Sequence, residues 1–461
     1  MSVKFTLNGQ PRVVNLCDSH ETLLQYLRRE GLSGSKEGCA EGECGACAVM
    51  LLTPDAKGQA RYQAVNSCLL LLGSLQDREL LSIEGLADGN KLHPCQQAMV
   101  DYGGSQCGYC TPGFVMSMAA EYYRSEGKSF DLEALAGNLC RCTGYRPIKD
   151  AALSLKAPLA NDPLAQKLKQ GLHRPFYARS QQGDEHFVRP VHLSELWQAL
   201  DTYPDAKLVA GGTDWVVEIN QRYSRTSVQI AIDALEELKG LEITGDAITL
   251  GAGLCLSDIE HELKEISLFN QLLPLFASPL IRNRATLGGN LATASPIGDA
   301  APVLLALDAE LILVSRAGER KIALKDFFLG YRQSALKPQE IIHSIHIPLP
   351  LASHSHFYKF AKRRADDISS VAVALACRLD KGHISDMRIG LGGVAATPVR
   401  AYETEGFLEG KAWQLDSFQV ARKIISQEIK PISDFRSSAE YRKAMVKNSL
   451  LAFFDDLEVR Q

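Results

Sequence analysis

Residues 38–51 read GCAEGECGACAVML, a stretch that places three cysteines and three glycines just ahead of an apolar run. Cys39, Cys44 and Cys47 form the pattern C-x4-C-x2-C, and Cys68 follows after twenty further residues. This asymmetric spacing is typical of plant-type 2Fe-2S sites, in which cysteine thiolates hold two irons. We therefore predict that these four cysteines bind an iron–sulfur cluster.

The glycines of this stretch fit that chemistry. A cluster with four thiolates and two sulfides is negatively charged, so backbone N–H groups that turn towards the sulfurs stabilise it. Gly38, Gly42 and Gly45 allow such turns because they carry no side chain that would obstruct the approach. The alternative is a structural zinc site, which also uses four thiolates but favours two C-x2-C knuckles.

A second group of cysteines follows in the pattern Cys107-x2-Cys110, twenty-nine residues, Cys140-x-Cys142. A Thr-Pro pair directly after Cys110 predicts that this cysteine stands at a helix start, where the helix dipole favours a thiolate. By itself the group is also compatible with a zinc site or a redox pair. Beside the first group, we interpret it as a second 2Fe-2S site, and two clusters in one chain indicate electron transfer.

Ten of the twelve cysteines precede residue 143. In a reducing compartment such clustered thiols are more typical of metal ligands or catalytic groups than of disulfides. The four cysteines outside the two groups are interpreted as small buried hydrophobic residues without chemistry. They are Cys17, Cys95, Cys255 and Cys377.

The composition of the 461-residue chain is that of an ordinary globular protein, with 46% hydrophobic residues, 23% charged residues and a formal net charge of -4. The length predicts several domains. Neither a nucleic-acid binder nor a disordered tail is indicated. The longest apolar stretches, residues 69–72 and 301–307, fall far short of the ~18 residues of a membrane-spanning helix. The start of the chain lacks the apolar core of a secretory signal, so we expect a cytoplasmic protein.

Local patterns divide the chain into four parts and a connector. Asn8-Gly9 predicts a β hairpin, residues 22–30 predict a short amphipathic helix, and helical periodicity begins near residue 95. A run rich in Pro, Gln, Gly and Asp predicts an exposed connector. The expected limits are 1–85 for a small α+β part, 86–157 for a helical part, 158–185 for the connector, 186–347 for a second α+β part and 348–461 for a C-terminal α+β part.

Two glycine-rich turns mark the second α+β part, residues 210–214 (AGGTD) and 286–290 (TLGGN). Either turn could bring backbone N–H groups to a pyrophosphate, and residues 293–299 add hydroxyl groups and a carboxylate. The alternative for each is a tight turn that needs glycine only for its backbone geometry. Neither turn is a Rossmann fingerprint, and residues 251–253 (GAG) lack the third glycine.

Two further signatures accompany the first cysteine stretch: SQCGYCTPGFVMS (residues 105–117) and NLCRCTGYRPI (residues 138–148). With these three in this order, the chain resembles, over nearly its whole length, the iron–sulfur and FAD subunits of the xanthine dehydrogenase group of molybdenum hydroxylases. The resemblance implies a multidomain α+β fold. Its four parts would be a β-grasp 2Fe-2S ferredoxin domain, a four-helix 2Fe-2S domain, an α+β FAD-binding domain of the vanillyl-alcohol-oxidase and CO dehydrogenase flavoprotein type, and a C-terminal α+β flavoprotein domain.

The resemblance also implies that LVAGGTDW and TLGGNLATASPIGD contain FAD-binding residues. Phe276 would stack near the flavin or adenine, Ile342 would pack on the ring system and Lys359 would hydrogen-bond it. The alternatives are core packing for the first two and a solvated surface lysine for the third. Asp366, in the mixed-charge run RRADD, is a candidate flavin-site residue, against the alternative of a solvated loop. The implied FAD-binding residues are Leu208, Val209, Ala210, Gly211, Gly212, Thr213, Asp214, Trp215, Phe276, Thr286, Leu287, Gly288, Gly289, Asn290, Asp299, Ile342 and Lys359.

The resemblance implies that the chain carries electrons to the acceptor NAD+. These electrons would come from a molybdopterin-binding large subunit that oxidises hypoxanthine or xanthine. The implied route runs through the second cysteine group, then the first, then FAD. Gln106 and Cys142 are implied to lie near the pterin of the partner, in a heterotetramer of two heterodimers, with neither nucleic acid nor membrane as partner. Two alternatives are kept: the same role in an aldehyde or N-heterocycle hydroxylase with another acceptor, and a zinc-stabilised scaffold.

Overall fold

The computed structural model describes residues 2–15, 18–124, 129–170, 172 and 177–458. Cys17 and part of the expected connector lie outside these residues. The chain divides into two compact units, Met1–Glu236 with Ser278–Ala285, and Glu237–Ala277 with Thr286–Gln461. The first unit therefore contains both cysteine groups.

The chain begins with a β-grasp sheet, which confirms the fold expected for the ferredoxin part. The strands run in the order β2-β1-β5-β3-β4, with β1 parallel to β5. The predicted hairpin turn is present, with positive φ at Asn8 (53°) and Gly9 (75°). The elements are β1 (Ser2–Leu7), β2 (Gln10–Asn15), α1 (Leu23–Arg29), β3 (Ala48–Pro54), β4 (Ala60–Asn66) and β5 (Glu79–Leu81).

Strand β3 is apolar from Ala48 to Leu52 because both of its faces are buried there. Val49 and Leu51 point into a core that α1 also enters, whereas Ala48, Met50 and Leu52 point into a second core. Side chains of a strand alternate between its faces, so one continuous run supplies both cores. The segment that follows the first three cysteines is thereby held rigidly from two sides.

The second core is closed by four helical segments. They are α2 (Pro94–Asp101), α3 (Thr111–Arg124), a 3-10 turn (Leu132–Leu135) and α4 (Arg146–Ser154). The next stretch, expected as an exposed connector, is partly packed: α5 (Pro163–Lys167) places Leu164 and Leu168 against this core. Asp162 caps α5 and accepts a hydrogen bond from the buried Tyr123. The proline-rich and polar composition of the connector did not predict this short helix.

The first unit ends with a four-stranded sheet of order β6-β7-β9-β8, which shares the core of α1. Its elements are β6 (Ala178–Gln182), β7 (Glu185–Arg189), α6 (Leu193–Thr202), β8 (Lys207–Val209), α7 (Trp215–Arg222) and β9 (Val228–Ala231). Asp233, just after β9, pairs with Arg189 at 2.9 Å and with Arg284 at 3.5 Å. Burial by itself would raise the pKa of Asp233, but these guanidinium groups and that of Arg78 hold it well below its usual range. The returning segment Ser278–Ala285 is anchored to the first unit in this way.

The second unit opens with a five-stranded antiparallel sheet of order β10-β11-β16-β12-β13. Its strands are β10 (Leu241–Ile243), β11 (Ala247–Gly251), β12 (Glu310–Ser315), β13 (Gly318–Ala323) and β16 (Ile341–Pro348), with a hairpin of β14 (Phe328–Gly330) and β15 (Gln333–Ser334). The helices of this stretch are α8 (Leu256–Glu262), α9 (Ser267–Leu272), α10 (Pro279–Arg282), α11 (Leu287–Ala292) and α12 (Ala300–Ala306), of which α10 belongs to the first unit.

A four-stranded sheet and three helices complete the second unit. They are β17 (His354–Phe360), β18 (Val371–Asp380), β19 (His383–Gly392), β20 (Val399–Arg400), α13 (Tyr402–Leu408), α14 (Leu415–Glu428) and α15 (Ala439–Glu458). Val371, Val373 and Leu375 of β18 enter a core with side chains of α14 and α15. Among the described residues, no helix combines the length and the apolar character needed to cross a membrane.

Candidate cofactor sites

The first cysteine site comprises Cys39, Cys44, Cys47 and Cys68, which the fold brings together. The first three lie in the loop before β3, and Cys68 lies in a 3-10 turn directly after β4. Sγ of Cys47 is 3.3 Å from Sγ of Cys68, and Cys39 is hydrogen-bonded to Cys44. Cys47 and Cys68 are buried, with 2% and 3% exposure. The four thiols thus form two close pairs, as two irons with two thiolates each require.

Backbone N–H groups turn inward at this site, as the glycines predict. The hydrogen bond from Cys44 lowers the pKa of Cys39 to about 5, and the backbone N–H groups of Glu41 and Glu43 contribute in the same direction. A Cβ on Gly38 would lie only 2.7 Å from Sγ of Cys44, so this position cannot carry a side chain without moving the sulfur. The loop is therefore shaped around its sulfur atoms.

The second cysteine site comprises Cys107, Cys110, Cys140 and Cys142, again as two pairs. Cys107 interacts with Cys142, and Cys110 with Cys140. Cys107 and Cys142 are exposed, Cys110 is half-buried and Cys140 is buried. Helix α3 begins directly after Cys110, as predicted, but burial raises the pKa of Cys110 to about 12. The interpretation of Cys110 as a thiolate ligand at a helix start stays a prediction.

The two cysteine sites are joined by a hydrogen bond. The backbone N–H of Leu139, which precedes Cys140, donates to the carbonyl oxygen of Cys44 at 3.0 Å. The Tyr109 hydroxyl donates to the carbonyl oxygen of Glu37. These two hydrogen bonds thus connect the loops of the two sites within one unit.

The donor set at both sites fits 2Fe-2S clusters. All eight cysteines are free thiols arranged as two groups of four. A separate group, Asp18, His20 and Glu185, also has metal-ligating atoms within 4.8 Å of one another. However, the backbone N–H of Thr226 donates to His20 Nε2, so the ring proton lies on Nδ1 and faces Asp18 as a donor. That histidine is already satisfied as a structural residue.

In the first unit, the predicted FAD-binding residues 208–215 run from the end of β8 into α7. A Cβ on Gly211 would lie 2.0 Å from the carbonyl oxygen of Arg284, so the backbone contact demands glycine here. Trp215 Nε1 donates to Gln229 Oε1 at 2.8 Å. Close backbone packing therefore accounts for Gly211, while binding of a pyrophosphate stays a prediction.

In the second unit, residues 286–290 form the start of α11. The Thr286 hydroxyl accepts the backbone N–H of Gly289 at 3.1 Å and so caps this helix. A Cβ on Gly288 would lie 2.5 Å from Cβ of Ala252, another packing requirement. Among the described residues, the buried Oδ1 of Asn290 has no hydrogen-bond partner. An unmatched buried acceptor is what a hydroxyl-bearing ligand such as FAD would satisfy.

Lys359 is not a solvated surface lysine, because its side chain is only 3% exposed. Its Nζ lies 2.9 Å from Asp299 Oδ2 and donates to the carbonyl oxygen of Leu275 at 2.7 Å. Ser369 donates to the other oxygen of Asp299. Two predicted FAD-binding residues of the second unit thus form a buried ion pair.

The other predicted flavin residues of the second unit lie in different settings. Phe276 is half-buried after a 3-10 turn, whereas Ile342 is buried in β16 at 6% exposure and satisfies the core-packing alternative. Asp366 is half-buried at the tip of a loop with φ of 51°, and its carbonyl accepts from Arg363 Nη2. Of the leftover cysteines, Cys95 and Cys377 are buried as expected, but Cys255 is only half-buried.

Four families of known domains match successive parts of the chain. They are a 2Fe-2S iron-sulfur cluster binding domain (residues 5–72), a [2Fe-2S] binding domain (82–153), the FAD binding domain in molybdopterin dehydrogenase (180–350) and the CO dehydrogenase flavoprotein C-terminal domain (356–457). Fold and sites together define an oxidoreductase module with two 2Fe-2S domains and an FAD-binding flavoprotein half.

Relatives and solved structures agree with this assignment. Xanthine dehydrogenase 1 of Arabidopsis thaliana is 35% identical over 97% of this chain and 39% of its own length. Xanthine dehydrogenase of Emericella nidulans is 32% identical over 89% of this chain and 35% of its own length. The chain thus spans about two fifths of the length of these relatives. Carbon monoxide dehydrogenase from Hydrogenophaga pseudoflava, 28% identical, superimposes with a TM-score of 0.54 over 57% of this chain and 93% of its own. The chain belongs to the molybdenum hydroxylase family, as its iron–sulfur and FAD module.

Proposed function

We propose that the chain is the electron-transfer subunit of a xanthine dehydrogenase. It receives electrons from a molybdopterin-binding large subunit that oxidises hypoxanthine or xanthine, and it delivers them to NAD+. When bound, the clusters pass single electrons and FAD combines them into two-electron chemistry with a nicotinamide. With the domain limits proposed above, 1–85, 86–157, 186–347 and 348–461, each of the two cysteine groups lies in a domain of its own.

The observation that carries the proposal is the arrangement of the cysteine sites in the first unit. One site has two buried and two half-buried cysteines, the other has two exposed cysteines, and the carbonyl of Cys44 and the N–H of Leu139 join them. A relay needs this order, because an exposed group receives electrons from a partner while a buried group passes them inward. The eight cysteines would bind the irons, and the backbone N–H groups around Cys39 would stabilise the negative charge.

FAD is proposed to bind to the residues named for it, including the ion pair of Lys359 and Asp299. Because this pair is already buried and hydrogen-bonded, its charges need no rearrangement when a ligand arrives. Asn290 Oδ1 would accept a hydroxyl of the ligand. Asp366 is proposed to influence the flavin through its negative charge.

The partner is proposed to dock at the exposed second cysteine site. Cys107, Cys142 and Gln106 are exposed there, and Leu139 and Tyr145 expose 49% and 45% of their surface. Apolar and aromatic groups around an electron donor or acceptor are suited to a protein interface. The proposed assembly is a heterotetramer of two heterodimers, in the cytoplasm, where cysteine ligands stay reduced.

The first test is an anaerobic visible spectrum of the purified chain, with iron, sulfide and flavin assays, before and after addition of NADH. We expect about four irons and one FAD per chain, with bleaching by NADH. Iron and FAD without bleaching would contradict the nicotinamide acceptor, and a colourless zinc protein would contradict the whole proposal.

The second test is Cys44→Ala in the complex with the large subunit. We expect loss of NAD+ reduction with purine, while the substrate still reduces the large subunit, because the first cysteine site is the only proposed route to FAD. Cys377→Ala, a buried cysteine of the second unit, is the matched control. Persistent NAD+ reduction in Cys44→Ala would show that this site is not an obligatory relay.

A second candidate is an electron-transfer subunit for an N-heterocycle or aldehyde hydroxylase with another acceptor. It is favoured by the likeness to quinoline 2-oxidoreductase from Pseudomonas putida 86, which is 26% identical with a TM-score of 0.54 over 58% of this chain and 96% of its own. Comparison of purines, quinolines and aldehydes as substrates of the purified complex distinguishes the two.

A further inference from the structure

Four backbone N–H groups of the first cysteine loop, those of Glu41, Glu43, Cys44 and Ala46, donate to a cysteine sulfur. Such a peptide group directs its C=O to the opposite side, where that oxygen needs a hydrogen-bond donor of its own. In three of the four groups, those of Glu41, Glu43 and Ala46, an asparagine carboxamide supplies such a donor. The three asparagines lie far apart in the sequence, in three different parts of the first unit.

The first of these donors is Asn220, on α7. Its Nδ2 lies 2.9 Å from the carbonyl oxygen of Ala40, in the peptide group whose N–H, that of Glu41, donates to Cys39 Sγ. The same Nδ2 lies 2.9 Å from the carbonyl oxygen of Cys68. Ala40 has a φ of 56°, a conformation that is unfavourable for a residue with a Cβ. Asn220 therefore holds a strained turn as well as two carbonyl groups.

The second donor is Asn66, at the end of β4. Its Nδ2 lies 2.9 Å from the carbonyl oxygen of Gly42. The N–H of this peptide group is that of Glu43, which also donates to Cys39 Sγ. Asn66 is buried, with 3% exposure, so water cannot take its place.

The third donor is Asn138, in the segment that leads to the second cysteine site. Its Nδ2 lies 3.2 Å from the carbonyl oxygen of Gly45, which also accepts the backbone N–H of Ala48 at 3.0 Å. The N–H of this peptide group is that of Ala46, which donates to Cys44 Sγ. Asn138 is also buried, with 4% exposure.

We propose that Asn66, Asn138 and Asn220 are positioning residues of the first 2Fe-2S cluster, which orient and polarise the peptide groups that donate to its cysteine sulfurs and so raise its reduction potential. The inference rests on the proposed function, since it assumes a cluster at these cysteines. A hydrogen bond to a peptide C=O strengthens donation by the N–H of the same group. Hydrogen bonds to sulfur favour the reduced cluster, which carries one more negative charge.

Each asparagine comes from a different part of the first unit: the ferredoxin sheet, the helical part and the β6–β9 part. The reduction potential of the first cluster therefore depends on the assembly of all three parts around its loop. A ferredoxin domain alone would lack two of the three carboxamides.

The test is a redox titration of the full chain with its clusters and FAD, monitored by electron paramagnetic resonance. The variant Asn220→Leu removes both hydrogen bonds from a half-buried position and keeps the branched shape and the number of side-chain heavy atoms. Arg222→Ala, on the same helix with a side chain that is 73% exposed, is the control. We expect Asn220→Leu to shift the reduction equilibrium of the first cluster about tenfold towards the oxidised form, or about 59 mV for a one-electron couple. The second cluster and Arg222→Ala are expected to keep the wild-type potentials.

Asn138→Leu provides an independent measurement, with the same direction expected at the first cluster. If one variant fails to assemble that cluster, the shift in the other decides the question. Full iron content with an unchanged potential of the first cluster would overturn the inference. A wild-type chain without iron–sulfur clusters would instead overturn the proposed function, so the two failures are distinguishable.

Discussion

The two cysteine sites use the same ligand chemistry in opposite surroundings. At the first site Cys47 and Cys68 are buried in a core shared by the ferredoxin sheet and the β6–β9 part. At the second site Cys107 and Cys142 lie at the surface. Their backbone contacts differ in the same way, because the first loop is hydrogen-bonded by distant side chains and the second mainly by its own neighbours, such as Thr143.

This difference indicates a division of labour. A buried site exchanges electrons only with groups inside its own chain, and its surroundings fix its potential. A surface site can meet a partner protein but depends on that partner to exclude water. The number of cysteines carries no information on the order of the two sites in an electron-transfer chain, whereas their difference in burial supports the proposed order.

The largest expected effect is a difference in thermal stability between the variants Cys68→Ala and Cys142→Ala. Each variant should lose about two of about four irons. Only Cys68→Ala should also lower the melting temperature strongly, because metal binding there is coupled to a shared core. Iron assays and thermal unfolding measure both quantities.

The control for this pair is Cys95→Ala, which changes a cysteine of 0% exposure outside both sites. It should keep about four irons. Equal loss of stability in Cys68→Ala and Cys142→Ala would break the proposed distinction between the sites.

Alkylation of the iron-free chain provides the second prediction. Iodoacetamide should modify Cys107 at least about tenfold faster than Cys47, because a buried thiol reacts only after local opening. Backbone donation by Tyr109 lowers the pKa of Cys107, whereas the hydrogen bond with Cys107 raises the pKa of Cys142. The thiolate is the nucleophile, so as the pH rises Cys107 should react before Cys142. Mass spectrometry after labelling at a series of pH values shows whether Cys107 reacts before Cys47 and before Cys142. Reaction of Cys142 at a lower pH than Cys107 would contradict the second expectation.

Much of this architecture is predictable from local sequence. The cysteine spacings, the Asn8-Gly9 turn and the apolar run of β3 each encode their structure within a few residues. The prediction of an exposed connector was only partly right, because its prolines and polar residues outnumber Leu164, in α5, and Leu168, directly after it, which pack against the second core. The assignment of the FAD-binding residues depended on resemblance, since glycine-rich turns serve packing as readily as phosphate binding.

The carboxamides around the first site carried no sequence signal. Asn66, Asn138 and Asn220 are separated from their acceptors by 24, 93 and 180 positions. Asparagine has no periodicity that would mark such a role, and its contacts arise only when the parts assemble. The return of residues 278–285 to the first unit is equally a property of the assembled fold.

The third prediction concerns a buried hydroxyl beside the first site. Ser67 Oγ donates to the carbonyl oxygen of Cys47 at 2.7 Å, and Ser67 is fully buried. Ser67→Ala removes this donor without access for water, so we expect a loss of about 1–3 kcal/mol of unfolding free energy. Urea unfolding, monitored by the loss of cluster colour from the first unit, measures this change in unfolding free energy. A neutral result would show that the backbone N–H of residue 67, 3.4 Å from the same carbonyl oxygen, is a sufficient donor.

The smallest expected effect is that of Tyr145→Phe at the second site. The hydroxyl of Tyr145 accepts the backbone N–H of Cys140 at 3.1 Å, but Tyr145 is 45% exposed. Water can replace the lost acceptor, so we expect a loss of at most about 1 kcal/mol, below that of Ser67→Ala. Tyr223→Phe, at 79% exposure, is the matched control in the same urea experiment. A larger loss for Tyr145→Phe than for Ser67→Ala would mean that the second site is as firmly organised as the first, and burial would then no longer explain the difference between them.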